Sequence, residues 1–311
     1  MEADVAVSGC GGEVGRIPRR YRARLDGLIM QVVHSIDALR AALKPYDSPA
    51  FVPTMGNLHD GHLALLAMAK EHGDVRVASI FVNRLQFGPN EDFDAYPRTF
   101  ERDCALLEAA GCDMLFAPRE ADLYPQAQTF LIHPPTGLAD VLEGAFRPDF
   151  FVGVSTVVMK LFQCVFSGTK TQAHAFFGEK DFQQQLIIRH LVTQFALPVT
   201  IVTSPTIRES DGLAMSSRNG YLSEAERAEA PRLQACLQAM LAAVKAGQQS
   251  LEAIEGTALA TLRAHQWQPD YMVIRRREDL GMPADSDRAL VVLGAAKLGR
   301  TRLIDNLSFD R

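Results

Sequence analysis

Short apolar runs, each stopped by a turn-former, alternate with stretches of helical spacing over the first two-thirds of the chain. The runs predict strands over 31–34, 50–53, 75–82, 114–117, 129–133, 173–177 and 198–203. Helices are expected between them, over 35–43, 63–70, 98–110, 152–165 and 182–195. Ser35 is placed to cap the first helix, and Val154, Val157, Val158, Leu161 and Phe162 form one core-facing stripe on the fourth. Strands alternating with helices predict an α/β architecture, a Rossmann-like doubly wound parallel sheet. Past about 206 the pattern changes. A polar turn at 208–212, within a candidate hinge at 206–212, leads to long helical stretches at 224–245 and 250–265 and strands at 271–275, 290–294 and 301–304. These predict a smaller C-terminal α+β domain, so the chain divides into 1–29, 30–206 and 207–311.

Residues 1–29 lack such a pattern. They are glycine-rich and then carry Arg16, Arg19, Arg20, Arg22 and Arg24, which reads as a disordered, solvated extension. Glu2, Asp4 and Glu13 argue against a transit peptide, and Met30 is a candidate start of translation. A formal charge of −5 over 311 residues argues against a general nucleic-acid binder. An RNA role for the arginine-rich tail is a minor alternative. No apolar run is long enough to cross a bilayer. The five cysteines, Cys10, Cys104, Cys112, Cys164 and Cys236, are scattered, with no C-x-x-C, which fits the cytoplasm better than a disulfide or zinc framework.

The chemistry concentrates at the ends of predicted strands. Phe51 to His62 reads F-V-P-T-M-G-N-L-H-D-G-H: a buried strand, a glycine turn, then two histidines, His59 and His62, opening a helix. Such a helix start is an anion site, and paired imidazoles there can donate to polyphosphate oxygens. Asn83–Gln86 and Gly178–Gln184 also follow strands. In a doubly wound sheet all three clusters converge on one edge, where ligands bind. Lys180 can hold a triphosphate as a point charge, or pair plainly with Glu179 or Asp181. Gln86 and the run Gln183, Gln184 and Gln185 offer amides for hydroxyls or a carboxylate. Ser216, Ser217 and Arg218 suit phosphate. Leu85, Phe87 and Phe93 read as packing against the sheet.

The H-x-G-H frame resembles the nucleotidyltransferases that release pyrophosphate. With the other clusters, residues 30–307 resemble the pantothenate synthetase (pantoate–β-alanine ligase) family. The matching stretches are P-T-M-G-N-L-H-D-G-H at 53–62, Q-F-G-P-N-E-D-F-D-A-Y-P-R-T at 86–99, F-G-E-K-D at 177–181, D-G-L-A-M-S-S-R-N at 211–219 and T-R-L-I-D-N at 301–306. The resemblance implies that ATP activates pantoate as an adenylate, which the amine of β-alanine then attacks. It implies ATP contacts from Met55, Gly56, Asn57, Leu58, His59, Asp60, Gly61 and His62, from Gly178, Glu179, Lys180 and Asp181, and from Ile207, Met215, Ser216, Ser217 and Arg218. His62 matches the proton donor, with His59, Lys180 and Arg218 on the phosphates. Gln86 and Gln184 match the amides that hold pantoate, Gln86 also lying near β-alanine. Mg²⁺ is implied as the partner of ATP, with Asp103 as a candidate ligand, and a homodimer through the larger domain. Three stretches depart from the family pattern. N-P-T-Q-F is here Asn83-Arg84-Leu85-Gln86-Phe87, R-P-G-H-F is Arg147-Pro148-Asp149-Phe150-Phe151, and the linker 167–172 is longer than usual. The alternatives are an adenylyltransferase acting on a phosphate acceptor, which the paired amides disfavour, and a nucleotide-binding regulatory protein that has lost turnover.

Overall fold

The computed structural model describes residues 30–311 except Asn90 and Asp92, together with two short antiparallel strands, β1 (Ala6–Ser8) and β2 (Val14–Arg16). The extension expected over 1–29 otherwise lies outside the described residues. Then come β3 (Gln31–Val33), α1 (Ile36–Leu43), β4 (Pro49–Thr54), α2 (Asp60–Ala69), β5 (Val75–Ile80), α3 (Phe100–Ala109), β6 (Met114–Phe116) and two short helices, α4 (Glu120–Leu123) and α5 (Glu143–Phe146). The chain continues with α6 (Phe150–Phe166), β7 (Ala173–Gly178), α7 (Phe182–Gln194) and β8 (Val199–Ser204). Last come α8 (Glu224–Glu229), α9 (Arg232–Ala246), α10 (Leu251–Ala264), β9 (Gln268–Arg276), β10 (Ala289–Leu298) and β11 (Thr301–Asp310).

The main sheet has the order β3-β6-β5-β4-β7-β8 and pairs its strands in parallel. Side chains alternate across it, as strand geometry requires. Phe51, Val77, Met114 and Ala175 join one core with α1 and α6, while Ala50, Val52, Ala78 and Leu115 join another with α2 and α3. Both faces are therefore covered, which is why its strands are almost wholly apolar. Strands β5, β4 and β7 are neighbours, so the segments that follow them leave from one edge. The winding reverses beside β4, the place where doubly wound sheets bind ligands.

The expected fold class, doubly wound sheet plus small α+β part, is the one found. The second sheet is antiparallel, β11-β10-β9, and packs Leu290, Val292, Leu303 and Phe309 against Leu237, Met240 and Leu262 of α9 and α10. The chain divides into two compact units, one holding the chain up to Pro134, Pro148–Phe177 and Ile188–Ser204, the other Pro135–Arg147, Gly178–Ile187 and Pro205–Arg311. Two inserts from the middle of the chain thus group with its C-terminal part. The 206–212 stretch, read as a hinge, is fastened within the second unit: Arg208 bridges Ala214 through the backbone and pairs with Asp305 at 2.7 and 3.0 Å.

Two predicted elements differ. The 129–133 strand does not form: the Ile132 N–H donates to Thr156 Oγ1 of α6 at 3.0 Å instead of to a strand, and Phe130 is 89% exposed. The single helix 224–245 is two helices, because Pro231 has no N–H to continue the ladder and clashes with the preceding turn.

One polar pair sits among these layers. His174 of β7 packs edge-on to His72 with centroids 5.2 Å apart, and its Nδ1 is buried with no hydrogen-bond partner among the described residues. Burial, then the neighbouring His72, hold its pKa below the ordinary histidine value. The unfolded chain therefore takes up this proton first as pH falls, so His174 subtracts from stability below about pH 6.5 and not above it. Urea unfolding at pH 7.5 and 5.5 is expected to show a smaller acid loss in His174→Phe than in the parent; equal losses would assign the pH dependence to other groups.

Candidate active site

The end of β4 builds the histidine pair. Gly56 (φ +82°) and Asn57 (φ +50°) turn the chain in the left-handed region. His59 then caps α2, its Nδ1 accepting from Gly61 N–H at 3.2 Å, while His62 Nδ1 accepts from the backbone N–H of His59 at 3.3 Å. The two imidazoles thus form a reciprocal capping box, a task usually given to Ser and Glu. Because each Nδ1 is an acceptor, each neutral ring carries its hydrogen on Nε2. The rings lie 4.1 Å apart, tilted by 39°. Gly61 is required by the same geometry: a Cβ there would stand 2.9 Å from the Nδ1 and Cε1 of His59.

Asp103 of α3 fixes the turn before the histidines. Its side chain is buried, Oδ2 accepting from Asn57 N–H (2.8 Å) and Thr99 Oγ1 (3.0 Å) and Oδ1 from Leu58 N–H (2.9 Å). Both oxygens are committed to the loop, so Asp103 fits a structural anchor better than a metal ligand. Among the described residues no group of three His, Cys, Asp or Glu stands together to hold a metal.

The loop after β5 places Gln86. Its Oε1 accepts from Asn83 Nδ2 (3.2 Å) and its Nε2 donates to Met55 Sδ (3.1 Å). Asn83 also donates to Gly153 O (3.1 Å) and accepts from the Tyr124 hydroxyl (3.1 Å). Gly153 lets α6 touch this loop, since a Cβ would come within 2.1 Å of Leu85 O.

The second unit carries the remaining clusters. Lys180 and Ser216 line one small pocket with Asp305, against an apolar wall of Leu213, Leu233 and Leu303. The plain ion pair of Lys180 with Glu179 or Asp181 is not made. Met215 N–H donates to Ile207 O (3.0 Å), and Ser216 Oγ accepts from the backbone N–H of Arg218 (3.2 Å) and caps the turn through Ser217. Of the three glutamines, Gln183 is structural: it bonds Leu138 O, Val141 O and Glu143 N–H at 2.7–3.0 Å. Gln184 is half-buried and makes no side-chain hydrogen bond among the described residues. Glu143 in turn holds Arg302 through two 2.7 Å bonds and accepts from the Tyr271 hydroxyl at 2.7 Å. Burial alone would raise its carboxyl, but Arg302 and Tyr271 reverse this and hold it below the usual glutamate range.

Residues 31–308 match the family model for pantoate-beta-alanine ligase. The chain belongs to the pantoate-beta-alanine ligase family. It is 60% identical over 283 residues to the pantothenate synthetase of Verminephrobacter eiseniae, covering 90% of this chain and all of that one. Identity to the Paracidovorax citrulli pantothenate synthetase is 59% over the same length, with the same coverage. Among solved structures, Thermus thermophilus pantothenate synthetase superposes with TM-score 0.83 at 44% identity, covering 89% of this chain and 99% of that one. The Francisella tularensis pantoate-beta-alanine ligase, complexed with β,γ ATP and β-alanine, has TM-score 0.75 at 31% identity over 89% and 97%.

The departures from the ligase pattern have visible consequences. Arg84 stacks on Phe93, 3.9 Å from the ring centre, and pairs with Glu120 at 3.7 Å. Asp149 opens α6 in the left-handed region, φ +63°, with no side-chain cap bond. Thr171 and Lys170 of the longer linker bond Asp47 O through their backbone N–H groups. The sequence pointed to Asn83 and Gln183 only as polar members of ligand-edge clusters, not as the supports they are, and it pointed to no role for Asp305 or Asn306. Their only signal was a polar residue inside an otherwise apolar or quoted stretch.

The pair geometry is directly testable. Long-range ¹H–¹⁵N spectra of the imidazoles at pH 8 are expected to show both His59 and His62 as Nε2–H tautomers. Gly61→Ala should displace the His59 signals most; an Nδ1–H pattern for either ring would contradict the reciprocal cap.

Proposed function

We infer that the chain condenses (R)-pantoate with β-alanine at the expense of ATP, as a C–N bond-forming ligase of pantothenate and coenzyme A biosynthesis. The observation that carries this is the backbone-locked His59–His62 pair at the winding reversal of a sheet in a chain of the pantoate-beta-alanine ligase family. A pantoate carboxylate oxygen attacks the α-phosphorus, and the bond to the β,γ-pyrophosphate breaks. The amine of β-alanine then attacks the activated acyl carbon, loses a proton and expels AMP. Two Nε2–H donors side by side match the charge that builds on phosphate oxygens in the first step. Lys180 and Arg218 supply full positive charge, and Ser216 and Ser217 hydroxyls complete the phosphate set. Gln86, oriented by Asn83, and Gln184 serve pantoate. The backbone of Ile207 serves adenine. Mg²⁺ comes with ATP, held by the phosphates themselves, since Asp103 is already committed. The cytoplasm is the assigned compartment, on the scattered cysteines.

A homodimer through the first unit is part of the same reading, supported by Phe130 and Leu131, 89% and 41% exposed on neighbouring positions. Light scattering is expected to give the dimer mass for the parent and a larger monomer fraction for Phe130→Ser. Unchanged mass would move the interface elsewhere.

The deciding assay is pantoate-dependent exchange of labelled pyrophosphate into ATP without β-alanine. Exchange is expected only with pantoate, and His62→Ala should lower it by about a hundredfold or more. ATP binding without exchange would instead favour a regulatory protein that has lost turnover.

A further inference from the structure

Strand β11 carries Asp305 and Asn306 side by side, both buried and neither used by the chemistry above. We propose that Asn306, seconded by Asp305, is a positioning residue that sets the turn bearing Lys180. This rests on the reading that Lys180 holds the ATP phosphates.

The Asn306 side-chain Nδ2 donates to two successive backbone carbonyls, Glu179 O at 3.0 Å and Lys180 O at 2.8 Å. Those carbonyls belong to the short helical turn Glu179–Asp181, so the two bonds fix the plane from which the Lys180 side chain leaves. The amide cannot be turned over, because its oxygen would then face both carbonyls. Its Oδ1 is buried with no hydrogen-bond partner among the described residues. A buried acceptor left unmade is a cost to stability, and it marks a residue retained for its donors. Asp305 does the same for the neighbouring segment. It accepts both Arg208 bonds, and Arg208 also donates to Gly212 O at 3.1 Å, which fixes the hairpin leading into Met215–Arg218. The Asn306 backbone N–H donates to Asp305 Oδ1 at 2.8 Å, tying the two supports together. Lys180, Ser216 and Asp305 line the same pocket. One strand thereby registers two phosphate-binding segments that are far apart in sequence.

The test is a double-mutant cycle with Asn306→Asp and Lys180→Met, read as kcat/KM for ATP in pantoate-dependent pyrophosphate exchange. Asn306→Asp keeps the shape but turns the donor into an acceptor facing two carbonyls. It is expected to lower kcat/KM by roughly tenfold to a hundredfold. The loss should shrink, relative to the parent, as pH falls from 8 to 6, because a protonated carboxyl regains one donor. On the Lys180→Met background the same change should cost less than about twofold, since residues that act as one unit are not additive. A full, multiplicative loss on that background overturns the proposal. No effect of Lys180→Met alone instead removes Lys180 from the phosphate site, a separate result that sinks the underlying reading. If Asn306→Asp melts below assay temperature, Asn306→Ser, which is too short to reach either carbonyl, takes its place in the cycle with the same criteria.

Discussion

A helix start leaves backbone N–H groups without acceptors, and at α2 two of them are answered by imidazole nitrogens. Much of the site follows from that choice. An imidazole that accepts at Nδ1 must donate at Nε2, so satisfying the helix cap also settles which face of each ring carries hydrogen. The ring of His59 then occupies the space above residue 61, which has to be glycine. The turn that delivers His59 has to run through the left-handed region at Gly56 and Asn57. Its next two N–H groups, those of Asn57 and Leu58, point inward and need a buried carboxylate, which Asp103 provides from another helix. The same interactions that begin a helix therefore fix which nitrogen of each histidine carries the hydrogen.

The sheet and the second unit repeat this economy at larger scale. Strands β5 and β4 are adjacent and parallel, so the amide loop and the histidine turn issue from one edge because of winding order alone. In the second unit the sheet packs on an apolar core, but the contacts that hold the site segments are polar and long-range. Arg302, Asp305 and Asn306 of β11 hold Glu143, Arg208 and the carbonyls of Glu179 and Lys180. An apolar contact would bury these segments equally well but would not set their register, because dispersion is non-directional and hydrogen bonds are not.

What could be read from the sequence was what local physics decides. Val75–Ile80, Phe51 and Val52 announce buried strands, glycine and asparagine announce the turn at 56–57, and the alternation of elements announces the doubly wound sheet. The 129–133 run has strand composition but no strand beside it. Its fate was settled by Thr156, a residue in α6 that no local pattern connects to it. Pro231 was visible and its consequence was a matter of one missing N–H. The grouping of Pro135–Arg147 and Gly178–Ile187 with the C-terminal part was invisible, because it rests on partners such as Glu143 and Arg302, 159 positions apart. Histidines in an H-x-G-H frame were legible as a candidate site, and the structure brings them together at the start of α2. That Asp103 would bond the loop before them was not legible, since a carboxylate reads the same way for a loop anchor and for a metal ligand.

The departures from the family pattern fall where side chains matter least. In the Arg84–Leu85 dipeptide it is the backbone that packs: Leu85 O lies against Gly153, and the amide network runs through Asn83 and Gln86. Arg84 turns its guanidinium to Phe93 and Glu120 instead. At 149 the change is less innocent, since a left-handed backbone costs most residues about 1–2 kcal/mol, though Asp tolerates it better than most. Helix α6 absorbs that cost. It buries Phe151, Val154, Val157, Val158, Leu161 and Phe162 along one stripe, each contributing about 2 kcal/mol of apolar transfer. A strained N-cap residue is tolerable in a helix whose position is set by its buried face. The Asn83–Gly153 contact, three residues into that helix, is held by the packing and not by the cap.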